Sequence, residues 1–407
     1  MHDDFDILII GGGLVGASLA CALGGQALRV GLVEAKPFAA TAQPDYDERS
    51  IALSYGSRRI FEAMGLWPAL ADSCAPIHHI QISDRGHFGA ARLAASEEGV
   101  EALGYVAPAR VIGQALAQRL KACENIQLLC PAEVETVVLA EQSAELTLRI
   151  DGAARVLHSR VVIAADGAHS LVRDQLGIET AHWQYDQTAL IANITPERPH
   201  HNTAFERFTD TGPLAVLPLL DERCALVWTV RNAQVDRLMQ LDDGAFLHAV
   251  QERFGQRLGR LRQVGTRQAY PLTLVRARES VRARLALIGN AAHSLHPVAG
   301  QGFNLGLRDV VALADVLIEA MHNGADLGDL RVLQRYAAAR RRDQRGVIAF
   351  TDGLARLFTN PLAPLVLARD LGLIAVDLLP PLKHFLTRRT MGLAGRLPRL
   401  ARGLPLV

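Results

Sequence analysis

Residues 5–34 read FDILIIGGGLVGASLACALGGQALRVGLVE, and the fold turns on them. Phe5 to Ile10 is a short apolar run rich in β-branched residues, the pattern of a buried strand, and it stops at three glycines. LVGASLACAL then carries small and apolar residues at helical spacing. Leu28 to Val33 reads as a second strand ending on Glu34. Strand, tight turn, helix and strand within about thirty residues make a βαβ unit.

Gly11, Gly13 and Gly16 form GxGxxG at the junction of strand and helix, the setting in which this pattern carries meaning. Gly11 permits the turn, Gly13 lets a pyrophosphate approach the backbone, and Gly16 lets helix and strand pack closely. The helix N-terminus favours the anion. Glu34, 21 residues beyond Gly13, stands where a carboxylate accepts hydrogen bonds from an adenosine ribose. These residues predict an ADP-binding Rossmann half, which NAD and FAD share, so the later motifs must decide between them.

At 407 residues the chain exceeds the roughly 250–300 at which single cores stop growing, which predicts two regions around one cleft. A net charge of +1 gives no reason to expect a nucleic-acid partner. The five scattered cysteines form no CxxC pair, so reduced thiols of a cytoplasmic protein are expected rather than disulfides or a thiolate metal site. No basic leader precedes the first apolar run, and the longest apolar stretch near the C-terminus is broken by Arg369, Asp370 and Asp377, so neither a secretory leader nor a membrane span is expected.

Two further strands end on polar turns. Val161 to Ala165 runs into Asp166-Gly167 within ADGAHSLVR, and Leu285 to Ile288 runs into Gly289-Asn290, which opens GNAAHSLHPVAGQGFNLGLRD. Between them, residues from about 180 to 278 alternate apolar and polar with few helical faces and predict antiparallel sheet. Residues 75–107 read the same way. The pattern is helical from Leu307 to about Phe358, and a basic, apolar tail follows Pro361 and Pro364.

With these three motifs in this order, the chain resembles the group A flavoprotein monooxygenases over nearly its whole length. The resemblance implies an α/β fold: a Rossmann-type FAD-binding domain, a mostly antiparallel β-sheet substrate domain and C-terminal helices, as in para-hydroxybenzoate hydroxylase. The FAD-binding domain would comprise residues 1–74, 108–179 and 279–350, the substrate domain 75–107 and 180–278, and the helical, basic tail 351–407. Gly11, Gly13, Gly16 and Glu34 map to the ADP portion of FAD, and Asp166 and Gly167 to the pyrophosphate and nicotinamide region. Gly289 and Asn290 stand where the family has Gly-Asp facing the ribityl or ribose hydroxyls, and the Asn290 oxygen still accepts a hydrogen bond there. Gly300, Gln301 and Gly302 precede a helix whose N–H groups face the pyrimidine edge of the flavin. Arg49, Arg110 and Gln114 match phosphate- or ribityl-lining positions, and an exposed salt-bridge role for either arginine stays open.

Asn290, Leu295-His296-Pro297, ISDRGHFG from Ile82, AFERF from Ala204 and GPLAVLP from Gly212 together resemble one subgroup, the ubiquinone-biosynthesis hydroxylases. The resemblance implies hydroxylation of a 2-polyprenyl-6-methoxyphenol para to its hydroxyl, through a flavin hydroperoxide, with dioxygen as co-substrate and NAD(P)H as transient electron donor. The His296-Pro297 backbone is the candidate catalytic element beside the ring. His293 and His296 lack a third ligand, so no metal is expected. Tyr185, Trp228 and Tyr270 read as core aromatics or substrate walls, with core favoured. The partners implied are the lipophilic phenol, a ubiquinone-biosynthesis protein complex, and a peripheral contact of the basic tail with the inner membrane. Hydroxylation at another ring position or of a soluble aromatic, and a non-catalytic FAD-containing scaffold, are the alternatives.

Overall fold

The computed structural model describes residues 4–36, 49–294, 300–395 and 397–406. The glycine-rich N-terminal stretch forms β1 (Phe5–Ile10), α1 (Leu14–Ala22) and β2 (Val30–Val33). β3 (Ser50–Ser54), α2 (Tyr55–Ala63), β4 (Ala75–Ile77), β5 (His79–Asp84), β6 (Ala90–Ala94), β7 (Gly104–Pro108) and α3 (Ala109–Lys121) follow. β8 (Ile126–Leu129), β9 (Glu133–Leu139), β10 (Ala144–Ile150), β11 (Ala153–Ala164) and α4 (Leu171–Gln175) complete the first half.

The second half begins with β12 (Thr180–Pro196), β13 (Thr203–Thr209), β14 (Gly212–Pro218) and β15 (Cys224–Arg231). α5 (Val235–Met239), α6 (Asp243–Phe254), β16 (Leu261–Val264), β17 (Gln268–Ala277), β18 (Val281–Arg282), β19 (Leu285–Leu287) and β20 (His293–Ser294) come next. It ends in α7 (Gln301–His322), α8 (Leu330–Thr359), α9 (Ala363–Leu378) and α10 (Pro380–Thr390).

Among the described residues these strands form three sheets. In the first, β19-β11-β1-β2-β8 run parallel, with β18 antiparallel at one edge and β10 and β9 continuing from β11 as an antiparallel hairpin. β1 is apolar along nearly its whole length because both of its faces are covered. Ile7 and Ile9 pack under α1, α3 and α7, while Leu8 and Ile10 face the side closed by β9 and β10. The second sheet has the order β20-β17-β12-β15-β14-β13-β5-β6, with β16 on β12. Its strands are antiparallel except where β13 meets β5. One face packs on α5 and α6 through Trp228, Phe246 and Phe254. A third, small sheet, β3-β7-β4, lies at the join. The α/β class and the mixed sheet architecture are as the sequence implied.

The tail departs from a simple appendage. α8 is one helix across position 350, and its Phe358 stacks on Phe208 of β13 with ring centroids 3.7 Å apart. Among the described residues no helix is long and apolar enough to cross a membrane.

Candidate active site

Three turns crown the C-terminal ends of adjacent parallel strands, the position at which open α/β sheets bind ligands. In the first, a Cβ on Gly16 would stand 1.9 Å from the carbonyl oxygen of Gly11, and one on Gly11 would stand 2.6 Å from that of Ala165. Neither position admits a side chain, so α1 lies directly against β1 and β11. At Gly13, the residue before α1, no atom lies within 4 Å of an added Cβ. That open space beside the first N–H groups of α1 fits a pyrophosphate. Glu34 ends β2 with its carboxylate accepting hydrogen bonds from the N–H of Gly12 (2.7 Å) and of Lys36 (2.9 Å). Carboxylate oxygens have about four lone-pair sites, so acceptor capacity for a ribose hydroxyl is left.

The second turn follows β11. Asp166 Oδ2 accepts a hydrogen bond from the N–H of Val172 (3.2 Å), whereas Asp166 Oδ1 is buried with no partner among the described residues. Burial pushes the carboxyl up despite the Ser170 hydroxyl and the Val172 N–H, which favour its charge. A buried acceptor with no protein donor fits a ligand that brings one. Gly167, beside it, has φ +89 with open space around it. Arg173 is buried and ties this turn to the next by donating to the carbonyls of Ala168 (2.7 Å) and Ala291 (3.2 Å).

The third turn begins at Gly289, behind β19, and leaves Asn290 exposed. Asp309 of α7 holds it from below, accepting at Oδ2 from the N–H of Gly289 (3.2 Å) and lying 2.6 Å from His293 Nε2. Arg340 and Gln344 of α8 donate to its Oδ1 at 2.7 and 2.9 Å. Burial opposes ionisation here, but His293 and Arg340 outweigh it and hold the Asp309 carboxyl well below the usual carboxylate range. His293 is thus a structural partner. Among the described residues no three His, Cys, Asp or Glu side chains converge as metal ligands.

Gly300 adopts φ +60 as the residue before α7, where an added Cβ would meet Ala52 of β3 at 2.8 Å, and Gly302 has open space around it. Gln301 is buried, with Nε2 3.5 Å from the carbonyl of Thr390. The motif reading passed over Asn304, which fixes this turn. Its Oδ1 accepts from the N–H of Ser54 (2.8 Å) and the Ser57 hydroxyl (2.7 Å), and its Nδ2 donates to the carbonyls of Ala52 (2.8 Å) and Gly300 (2.7 Å). Four polar neighbours around one short amide show only after folding.

Arg49 sits beside the start of α3, where the Ala109 N–H donates to its carbonyl (2.9 Å). Arg110 donates to Gln114 (3.4 Å), and the Arg49 guanidinium lies 5.5 Å from the ring centre of Tyr270. Tyr270 is thus exposed rather than a core aromatic, whereas Trp228 is core and packs edge-on to Phe246. His296 and Pro297 lie outside the described residues, as does the Tyr185 side chain.

On the side away from α5 and α6, the second sheet presents a face built by register. Ile82, Ala215, Val227 and Ile191 are neighbours across β5, β14, β15 and β12, with Glu206 of β13 between the first two. All five are only partly buried although they lie mid-strand in a covered sheet. They form an apolar wall with one carboxyl in it, which the strand pattern alone could not reveal.

Residues 4–351 match the family model described as FAD binding domain. The chain is 40% identical to the ubiquinone hydroxylase UbiL of Rhodospirillum rubrum, over 98% of this chain and 93% of that protein. It is 35% identical to the 3-demethoxyubiquinol 3-hydroxylase of Escherichia coli, over 95% of this chain and 98% of the relative. Among solved structures it is similar to p-nitrophenol 4-monooxygenase PnpA from Pseudomonas putida, with a TM-score of 0.79 and 18% identity, covering 97% of this chain and 100% of that one.

Proposed function

Because the chain belongs to the FAD-binding domain family, and within it to the FAD-dependent monooxygenases of ubiquinone biosynthesis, we propose that its substrate is a 2-polyprenyl-6-methoxyphenol, hydroxylated para to the phenol. The carrying observation is the row of Ile82, Ala215, Val227 and Ile191, apolar and only partly buried on the sheet face away from α5 and α6. Such a wall suits a lipophilic ring, whereas a soluble aromatic acid calls for a cation to meet its carboxylate.

FAD, when bound, supplies the redox chemistry that activates dioxygen with electrons from NAD(P)H. The protein binds, orients and excludes water. The N–H groups at the start of α1 and the space at Gly13 receive the pyrophosphate, and Glu34 receives the adenosine ribose. Asp166 and Gly167 lie on the pyrophosphate and nicotinamide side, and the Asn290 amide beside Gly289 takes hydroxyls of the ribityl or ribose chain. Arg49, Arg110 and Gln114 line the phosphate and ribityl side. Gly300, Gln301 and Gly302 aim the α7 N-terminus at the pyrimidine edge, where negative charge gathers on reduction.

A lipophilic substrate must also reach the enzyme. α9 is inverted relative to an ordinary surface helix. Arg369 and Asp370 face inward, Arg369 to Asp84 (2.6 Å) and Asp370 to the N–H of Gly89 (3.1 Å), while Leu371 and Leu378 are 53% and 70% exposed. α10 continues the apolar surface with Leu382 and Phe385, and Arg388 is exposed beside it. Exposed leucines next to cations support peripheral docking on an anionic bilayer.

The test is to supply the FAD-loaded protein with NADH or NADPH and a short-chain 2-prenyl-6-methoxyphenol, and to place the new hydroxyl by NMR. A para-hydroquinone is expected. Hydroxylation at another position, as the name of the Escherichia coli relative would have it, overturns the position, and oxidation of NAD(P)H without hydroxylated product overturns the substrate.

A further inference from the structure

β13 alternates cleanly between two environments. Phe205 meets Phe254 of α6 edge-on with ring centres 5.5 Å apart, and Arg207 runs toward Gly255 on that same side. Ala204 and Phe208 face the other way, Ala204 against Ile77 and Val106 and Phe208 against Phe358. Glu206, between them, faces with them.

That face leads to the flavin turn in three contacts. Ala204 packs with Val106, Val106 pairs with Ala52 across β7 and β3, and Ala52 is the residue a side chain at Gly300 would strike. Glu206 is one strand step from this path. Glu206 keeps partial accessibility although it lies mid-strand between β5 and β14, on the face away from α6.

Among the described residues no charge compensates it. β14 carries no ionisable residue, Arg207 points to the opposite side, Asp84 on β5 is bound to Arg369, and Asp352 and Arg356 of α8 bond to one another. Burial alone pushes the Glu206 carboxyl up to about 7. An uncompensated buried carboxyl is costly to keep, and a pocket that shifts it toward neutral pH matches the requirement for a general base.

We propose that Glu206 is a catalytic residue of this enzyme, the base that accepts the hydrogen bond of the phenol hydroxyl and takes its proton as the ring is attacked. The phenolic O–H bond breaks, an Oε–H bond forms, and the electron pair stays on the ring oxygen, which enriches the para carbon. As the para carbon bonds to the transferred oxygen, the O–O bond of the oxygen donor breaks. The carbon's hydrogen then leaves as a proton that passes through water to the leaving oxygen, the ring regains aromaticity, and Glu206 returns its proton to the ring oxygen. The phenol is about 10 in pKa, so the transfer is uphill in the resting complex and proceeds with attack.

This assignment rests on the phenol hydroxylase reading. Its test follows product and hydrogen peroxide for FAD-loaded wild type and E206Q on a short-chain 2-prenyl-6-methoxyphenol across pH about 5.5 to 9, with carbon NMR of glutamate-labelled protein alongside. The wild-type hydroxylation kcat is expected to rise through a limb near pH 7. E206Q is expected to lower kcat about 100-fold, to lose the limb and to divert electrons to peroxide, and one carboxyl titrating near 7 should vanish from the NMR. Should E206Q not fold, Glu206→Met replaces it in both measurements. A variant within about threefold of wild type with the limb intact overturns the assignment alone, as does a Glu206 carboxyl in the ordinary range. A wild type that binds FAD and hydroxylates no phenol overturns the underlying reading instead.

Discussion

Asp309 Oδ2 lies 2.6 Å from His293 Nε2, and this pair anchors the third glycine turn to the two long helices beneath it. Arg340 completes the buried cluster on the other oxygen. Removing one partner leaves a buried charge without its counterion, which costs about 3–5 kcal/mol. Asp309→Asn is expected to lower stability by that order in urea unfolding. The folded carboxyl is depressed below its unfolded value, so its contribution is full above about pH 4 and is lost as pH falls through the folded value. The variant, lacking that increment, should show a flatter acid limb by circular dichroism.

Gly16 and Gly13 separate packing from ligand binding. Gly16→Ala places a carbon 1.9 Å from the Gly11 carbonyl oxygen and should unfold or severely destabilise the protein, read as a large drop in Tm. Gly13→Ala meets no protein atom, so the apoprotein Tm should hold while FAD affinity by fluorescence quenching falls about tenfold or more. Equal Tm losses in both would contradict this division.

Asn304→Ala removes bonds to Ser54, Ser57, Ala52 and Gly300 at once. Buried hydrogen bonds contribute about 1 kcal/mol each, so a loss of about 2–4 kcal/mol is expected. With the Gly300 turn loosened, more NAD(P)H should end as hydrogen peroxide per hydroxylated product.

Leu371→Glu changes an exposed side chain and should leave Tm within about a degree of wild type. Co-sedimentation with vesicles containing anionic phosphatidylglycerol should drop several-fold. Unchanged sedimentation would remove α9 from the proposed docking surface.

The parallel sheet and its three turns were legible because strand apolarity and glycine placement are local signals: FDILII, VVIAA and LALI are β1 and the cores of β11 and β19. Other features depend on residues far apart in sequence. Asn304 and Asp309 sit in helical spacing that says nothing of the turns they hold, and Tyr270 of β17 meets Arg49, before β3, only across separate sheets after folding. Nothing in AFERF marks which sheet face Glu206 takes until β13 is paired between β5 and β14. α9 misleads in the opposite direction, since its charges look like a solvated face and are buried.

The pairing of β13 with β5 brings Thr203 beside His79, so the hairpin of β5 and β6 cannot find its sheet until more than a hundred further residues have been synthesised. During translation that hairpin carries Ile80 and Ile82 with an open edge and no partner strand. Slowing synthesis between β6 and β13 should therefore raise aggregation of the nascent protein without altering the finished one.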